Sequence, residues 1–368
     1  MRDRVFVSFY DRGNLGDDLL FRVLVDRYPQ VRFDYLEMGA GNGAFAHAPH
    51  ADGWSIVRYA DGVLRRLRVP WRVERWARRR LIRRSRFAVR IGGSLYMERG
   101  AWRLDADLDE ELLTSREGAF FVNGNFGPWR SEEFLARYAG VFSRAVDVTV
   151  RDRASREQLS GTPTVRLAPD LIFSIARPTL PAEPAGVVIS VIDLSHREDL
   201  AAQQEPYEAA VASLAEALLD AGEQVTLMSF CTYEGDEAAA DRILDRLGAG
   251  ARGRVGTHYY RGDVDAALAT IAGARTVVAT RFHAMVLGLA FGCRVCSIAY
   301  SDKTVQALDD LGLDRHGWSL EEFSATPVPE LVRNVGEAGT ALPEGVGRAA
   351  EEHFRVLDIL LAETKEQR

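Results

Sequence analysis

Two stretches place cationic and titratable side chains where an apolar run gives way to a helical one. Arg281-Phe282-His283-Ala284 follows the strand-like Thr276–Ala279 and opens an apolar helix. Ala299-Tyr300-Ser301-Asp302-Lys303 follows the apolar run that begins at Arg294 and opens the next helix. A helix N-terminus presents unbonded N–H groups and the positive end of its dipole, so it favours anions. A guanidinium adds a fork for carboxylate or phosphate, and a lysine adds a point charge. His283 is the member of this group able to move a proton near neutral pH. Adjacent parallel strands would bring Lys303 near His283. The plainer account pairs Arg281 with a carboxylate and leaves His283 as a satisfied core histidine. Lysine occupies only two positions, Lys303 and Lys365, among 46 basic residues. The arginine bias reflects coding composition, so a lysine kept inside an ordered stretch is informative.

The first half holds a second group. Arg151-Asp152-Arg153 follows the strand-like Val148–Val150, and Asp170 follows Thr164–Leu167 through Ala168-Pro169. Pro169 keeps the residue before it extended, which leaves Asp170 at a strand tip, able to orient Arg151 or to accept a proton. Gly13-Asn14-Leu15-Gly16-Asp17-Asp18 follows the first strand without the G-x-G-x-x-G spacing of a dinucleotide site. Asn14, Asp17 and Asp18 suit sugar hydroxyls; the alternative for Asp17 is a helix cap. Gly92-Gly93-Ser94 and Asn123-Gly124-Asn125 are loops of the same kind. Cys293-Arg294-Val295-Cys296 has no second pair to complete a metal site, so the cysteines read as small apolar fillers and no metal is expected.

Residues 65–90 carry twelve arginines and one acid, Glu74. Trp71, Val73, Trp76 and Leu81 fall near one helical face. The pattern fits a basic interfacial helix, Arg65–Arg86, lying on an anionic membrane surface, against the alternative of a solvated helix covering its domain.

Positioning these residues requires a particular scaffold. Short apolar runs alternate with helical periods along the whole chain, which predicts parallel, doubly wound sheets. Three prolines within residues 177–185 predict a stiff connector. The expected organisation is an α/β domain over 1–176, the connector, and a second α/β domain over 186–335, with a helix at 346–363 able to return to the first domain. A cleft between two such domains, faced by strand C-termini, is the expected ligand site. The 368 residues carry a net charge of −7, 47% hydrophobic and 27% charged residues. That composition excludes disorder and speaks against wrapping nucleic acid. The run near the N-terminus is too short for a signal peptide and no apolar run reaches 18 residues. A cytoplasmic protein is expected, at the inner face of the membrane where the basic helix docks.

The set Gly13–Asp17, Gly92–Ser94, Arg151-Asp152, Pro169-Asp170, Arg281-x-His283-Ala284 and Tyr300-x-x-Lys303 resembles the polysaccharide pyruvyl transferase family over most of the chain. The resemblance implies a GT-B-like architecture of two Rossmann-like domains facing a central cleft. It implies transfer of the enolpyruvyl carbons of phosphoenolpyruvate to a sugar, giving a pyruvate ketal in cell-surface polysaccharide or glycoconjugate synthesis, with no separate cofactor. Arg151, Arg281, Ser301 and Lys303 would then hold the donor's phosphate and carboxylate. His283, with Arg281 and Asp170, would serve the chemistry: as a sugar oxygen attacks C2, His283 protonates the C3 methylene. Arg281 and the helix N-terminus disfavour imidazolium in the empty site, and the bound anion restores it. The acceptor, lipid-linked in many such enzymes, would meet Asn14, Asp17, Asp18, Gly93, Ser94, Asn123 and Asn125. Two other readings compete: a GT-B glycosyltransferase whose Arg281 and Lys303 hold a nucleotide-sugar diphosphate, and a non-catalytic paralogue that binds a membrane or partner through the arginine-rich helix.

Overall fold

The computed structural model describes residues 3–37, 48–55, 73–180, 183–197, 199–313, 317–339 and 342–366. Residues 65–72 of the basic stretch, with Trp71, and 181–182 of the proline-rich connector lie outside them. The chain divides into two units. The first comprises Met1–Asp11, Asp17–Leu171 and Arg348–Arg368; the second comprises Arg12–Gly16 and Ile172–Gly347.

The first unit is built on seven parallel strands: β1 (Arg4–Ser8), β2 (Arg32–Tyr35), β3 (Ala51–Gly53), β4 (Phe87–Ile91), β5 (Ala119–Gly124), β6 (Asp147–Val150) and β7 (Val165–Leu167), in the order β3-β2-β1-β4-β5-β6-β7. The second has six: β8 (Val187–Ser190), β9 (Val225–Ser229), β10 (Gly256–Tyr259), β11 (Thr276–Ala279), β12 (Arg294–Ala299) and β13 (Gly317–Ser319), in the order β10-β9-β8-β11-β12-β13, again all parallel. Both sheets are doubly wound, with the order reversing beside the first strand of each. Helices cover both faces of such sheets, so central strands need near-continuous apolar runs. β5, β8 and β11 are buried at every residue.

The first core gathers an aromatic cluster of Tyr96, Phe121, Phe126, Phe134, Tyr138 and Phe142. The helix Glu132–Phe142 contributes three of these from one face and is capped by Ser131, whose hydroxyl accepts from Phe134 N–H. The second core packs the helix Gln204–Asp220 over β8, β9 and β12 through Tyr207, Val211, Leu214 and Leu218. Among the described residues no helix is long and apolar enough to cross a membrane.

One placement differs from the sequence reading. The Asn14 loop follows β1, yet Arg12–Gly16 groups with the second unit. Leu15 N–H donates to the Phe230 carbonyl (2.9 Å) and Thr232 N–H to the Gly13 carbonyl (3.3 Å), so this segment is stitched to the loop after β9. Long-range backbone hydrogen bonds of this kind leave no mark on local sequence pattern.

Candidate active site

In the second unit the site is assembled from the loops that leave the C-terminal ends of β8, β9, β11 and β12. Asp236 is their hub. This fully buried carboxylate accepts from the N–H groups of Asp193 (3.3 Å), Phe230 (3.1 Å) and Cys231 (2.9 Å). It also accepts from Arg281 at both guanidinium positions, Nε at 2.9 Å and Nη2. The third bond of Arg281 goes to Glu234 (2.7 Å). Burial opposes the guanidinium charge, but Asp236 and Glu234 keep it firmly protonated. Arg281 therefore ties the loop after β11 to the loop after β9 rather than forming an open fork for a ligand, and its charge is largely matched by two carboxylates.

His283 stands in the first turn of the helix Phe282–Ala290, which has no acid in that turn and no side-chain cap. Its ring lies directly on Gly16: a Cβ added there would sit 1.7 Å from His283 Nδ1. Asn14 accepts from Gly16 N–H at 2.9 Å and so caps the helix Leu15–Arg27, the role considered for Asp17. The Asn14–Gly16 turn is thus the seat of the His283 ring. β12 pairs with β11, which places Ser301 and Lys303 at the adjoining helix, Asp302–Asp310. Ser301 occupies the cap position, but its hydroxyl makes no cap bond to that helix.

The sequence reading passed over Arg197. It lies in the loop after β8, its guanidinium 5.0 Å above the Tyr300 ring and 3.2 Å from Glu234. Burial pushes the Glu234 carboxyl up, but Arg281 and Arg197 outweigh it and hold it below its usual range. With 29% of its side chain exposed, Arg197 is the more open of the two guanidinium groups on Glu234. Arg197 and Glu234 lie in the connections after β8 and β9, which lack the Arg-x-His and Tyr-x-x-Lys patterns of the loops after β11 and β12; the two acids Glu234 and Asp236, able to answer Arg281, were the signal for the network in sequence. Cys293 and Cys296 are buried fillers, with burial pushing their thiols up to about 11 and about 12.

The first unit brings a different subset together. Arg151 donates to Asp170 at 2.6 Å and to Asn125 Oδ1 at 3.2 Å, with both charged side chains almost wholly buried. Gly93 lies over this guanidinium: a Cβ there would be 2.9 Å from Arg151 Nη1. Asn123, with φ of 64°, takes the left-handed conformation that Asn tolerates. Its amide donates to Asp170 (3.4 Å), and its carbonyl oxygen accepts from Leu171 N–H (2.8 Å). Gly93, Asn123, Asn125, Arg151 and Asp170 thus form one inward-facing cluster, in which Arg151 and Asp170 answer each other. Ser94 beside it is exposed, and Asp17 is half-buried. Asp18 is fully buried, which removes it from the surface where a sugar hydroxyl would be met.

His353, from the C-terminal segment, supports the Asp170 tip. Its Nε2 pairs with the Pro169 carbonyl (2.8 Å) and its Nδ1 with the Thr149 hydroxyl (2.7 Å). The carbonyl can only accept, so Nε2 carries the proton and Nδ1 accepts from Thr149. Burial lowers the His353 pKa to about 4. Between that value and the usual 6.5 the unfolded chain binds the proton that the folded chain refuses, so stability rises with pH across this window. The expected loss is about 2 kcal/mol between pH 7 and pH 5. Urea unfolding of the native protein and His353→Gln at the two pH values checks this; an equal pH dependence in both would refute it.

A family model for polysaccharide pyruvyl transferase matches residues 14–302, which take in the Asn14 loop, Arg281, His283 and Ser301. The chain belongs to the polysaccharide pyruvyl transferase family. The chain is 23% identical over 288 residues to the amylovoran biosynthesis protein AmsJ of Erwinia amylovora, covering 72% of this chain and 68% of that one. Solved structures of like fold include the UDP-GlcNAc 2-epimerase of Methanocaldococcus jannaschii, with a TM-score of 0.57 at 8% identity over 97% of this chain and 99% of that one. Another is Anabaena HepE in complex with UDP and glucose, with a TM-score of 0.54 at 13% identity over the full length of both. At such identities the likeness is one of fold: two Rossmann-like domains of GT-B type.

Proposed function

We propose that this chain transfers the enolpyruvyl group of phosphoenolpyruvate to a sugar, in polysaccharide synthesis as the name of its Erwinia relative suggests. The observation that carries this reading is the pair of adjoining helix N-termini after β11 and β12. One has His283 in its first turn and no acid there; the other has Lys303 in its first turn and a cap hydroxyl, Ser301, not engaged on its own helix. Such termini are anion sites, and phosphoenolpyruvate carries both a phosphate and a carboxylate. Arg197, stacked on Tyr300, supplies a guanidinium beside them. In this account Arg281 is a positioning residue: it holds the loops of β9 and β11 in register for His283 and donates nothing to the substrate that Asp236 and Glu234 do not already receive.

The chemistry follows from the donor set. An acceptor hydroxyl oxygen bonds to C2 while His283 delivers a proton to the C3 methylene, which becomes a methyl group. The C2–O bond to phosphate breaks as a second hydroxyl of the sugar closes on the same carbon to give the ketal; of the two hydroxyl protons released, one restores the His283 imidazolium and the other leaves on inorganic phosphate. Lys303 neutralises charge on the leaving phosphate and the Ser301 hydroxyl donates a hydrogen bond to it. In the first unit, exposed Ser94 and half-buried Asp17 remain the candidates for sugar hydroxyls.

Isothermal titration with phosphoenolpyruvate tests the donor. Wild-type protein is expected to bind, and Lys303→Ala and Arg197→Ala each to bind about tenfold or more weakly, as suits loss of a charged hydrogen bond. Binding that both variants retain, or binding of UDP-glucose in place of phosphoenolpyruvate, would overturn the reading.

A further inference from the structure

The helix Val73–Arg84 sorts its residues into two opposed arcs. At ~100° per residue, Arg75, Trp76, Arg79, Arg80 and Arg83 fall on one arc, and all five are exposed. Ala77, Arg78, Leu81 and Ile82 fall on the other and are buried. The buried arc is anchored chemically as well as by packing. Arg78 donates to the Leu108 carbonyl (2.9 Å) and lies over the Phe6 ring. Burial lowers its pKa to about 10, so it stays charged at neutral pH. The helix cannot roll without exposing Leu81 and Ile82 and breaking these contacts, so the arginine face is held outward.

Charge on that face is only partly answered. Arg75 and Arg79 share one carboxylate, Glu111, at 3.0 and 2.8 Å. Arg80 and Arg83 make no ion pair among the described residues. Trp76 stands among them with 63% of its surface exposed and the Arg80 guanidinium over its ring. The whole chain carries a net charge of −7, so this cationic face runs against the charge of the rest of the protein.

We propose that this face is a docking surface for an anionic phospholipid bilayer. Arginines meet lipid phosphates, and Trp76 enters the headgroup region, where an amphipathic ring is favoured. Trp76 decides between a bilayer and a nucleic-acid backbone. Contacts to duplex backbone phosphates are made by cations, polar side chains and N–H groups and call for no large exposed indole, whereas such an indole at the centre of the patch is what an interfacial anchor uses. The proposal does not depend on the reaction assigned above.

Vesicle co-sedimentation of the full chain tests it, with phosphatidylcholine alone and phosphatidylcholine mixed with phosphatidylglycerol, at low and high salt. The wild-type protein should pellet with the anionic vesicles only and be released by salt. Arg80→Ala/Arg83→Ala should lose about thirtyfold in partitioning, each arginine near an anionic surface being worth about fivefold. Trp76→Ala should weaken partitioning and remove the blue shift of tryptophan emission on binding. Arg333→Ala, exposed on the second unit, should bind as wild type, and circular dichroism should be the same for all four. Equal pelleting with neutral vesicles, no pelleting with either, or wild-type binding by the double variant would overturn the proposal. So would a duplex DNA probe that binds while vesicles do not.

Discussion

Gly16→Ala is expected to reduce turnover about a hundredfold while leaving phosphoenolpyruvate affinity nearly unchanged. The reason is geometric. A Cβ at position 16 would lie 1.7 Å from His283 Nδ1, 2.5 Å from Cε1 and 2.6 Å from Cγ. No rotation of the methyl group relieves this, because a Cβ is fixed by the backbone. The imidazole must leave its seat, or the Asn14 cap and the hydrogen bonds from Leu15 and Thr232 that hold the turn must give way. A displacement of about 1 Å at a proton-transferring group costs on the order of a hundredfold in rate. His283→Gln, which keeps polarity but loses the acid, should cost about a hundredfold to ten-thousandfold. The combined variant Gly16→Ala/His283→Gln should be no slower than His283→Gln alone, since both changes remove one function. The readout is phosphate release from phosphoenolpyruvate with a sugar acceptor, beside donor titration. Unchanged turnover in Gly16→Ala would show that the ring needs no such seat. Additive losses would show that Gly16 acts elsewhere.

The second large effect is on stability. Asp170→Ala should destabilise the first unit by about 3–5 kcal/mol, the usual cost of removing one partner from a buried ion pair. Arg151 and Asp170 meet at 2.6 Å with 5% and 3% of their side chains exposed, and Gly93 closes over the guanidinium. Removing the carboxylate leaves the cation in a low-dielectric setting without its nearest counter-charge, and Asn123 loses an acceptor. Arg151→Met/Asp170→Leu should recover much of the loss, because apolar side chains of similar size carry no desolvation cost. Urea unfolding followed by circular dichroism measures both. A loss of less than ~1 kcal/mol for Asp170→Ala would mean that the pair behaves as a surface contact and that Arg151 has other means of solvation.

The ion pair also shows what local pattern leaves open at a strand end. Arg151, Asp170, Asn123, Asn125 and Gly93 were recognisable as strand-end residues, because the apolar runs before them mark strands and the glycines and asparagines mark the turns. Their facing could not be read that way. A strand-end side chain turns inward or outward according to which loops pack on it, and those loops come from far along the chain. Arg281 makes the same point: three of its hydrogen bonds reach residues 45 or more positions away.

Sequence alone determined the α/β class, the parallel doubly wound sheets and nearly every central strand, because a strand buried on both faces must be apolar along its length. It also placed His283 and Lys303 at the starts of the helices that follow β11 and β12. It did not show β3, β10 or β13. These are edge strands of three or four residues, largely exposed at the first two, and an edge needs no apolar run. Tertiary structure alone decided that Gly16 seats His283, that Arg197 joins Tyr300 and that Arg281 and Arg151 are held by carboxylates. It likewise decided that His353 supports Asp170 from the far end of the chain. Each of these depends on contacts between residues distant in sequence, and local periodicity records which face of an element is buried without recording what it is buried against.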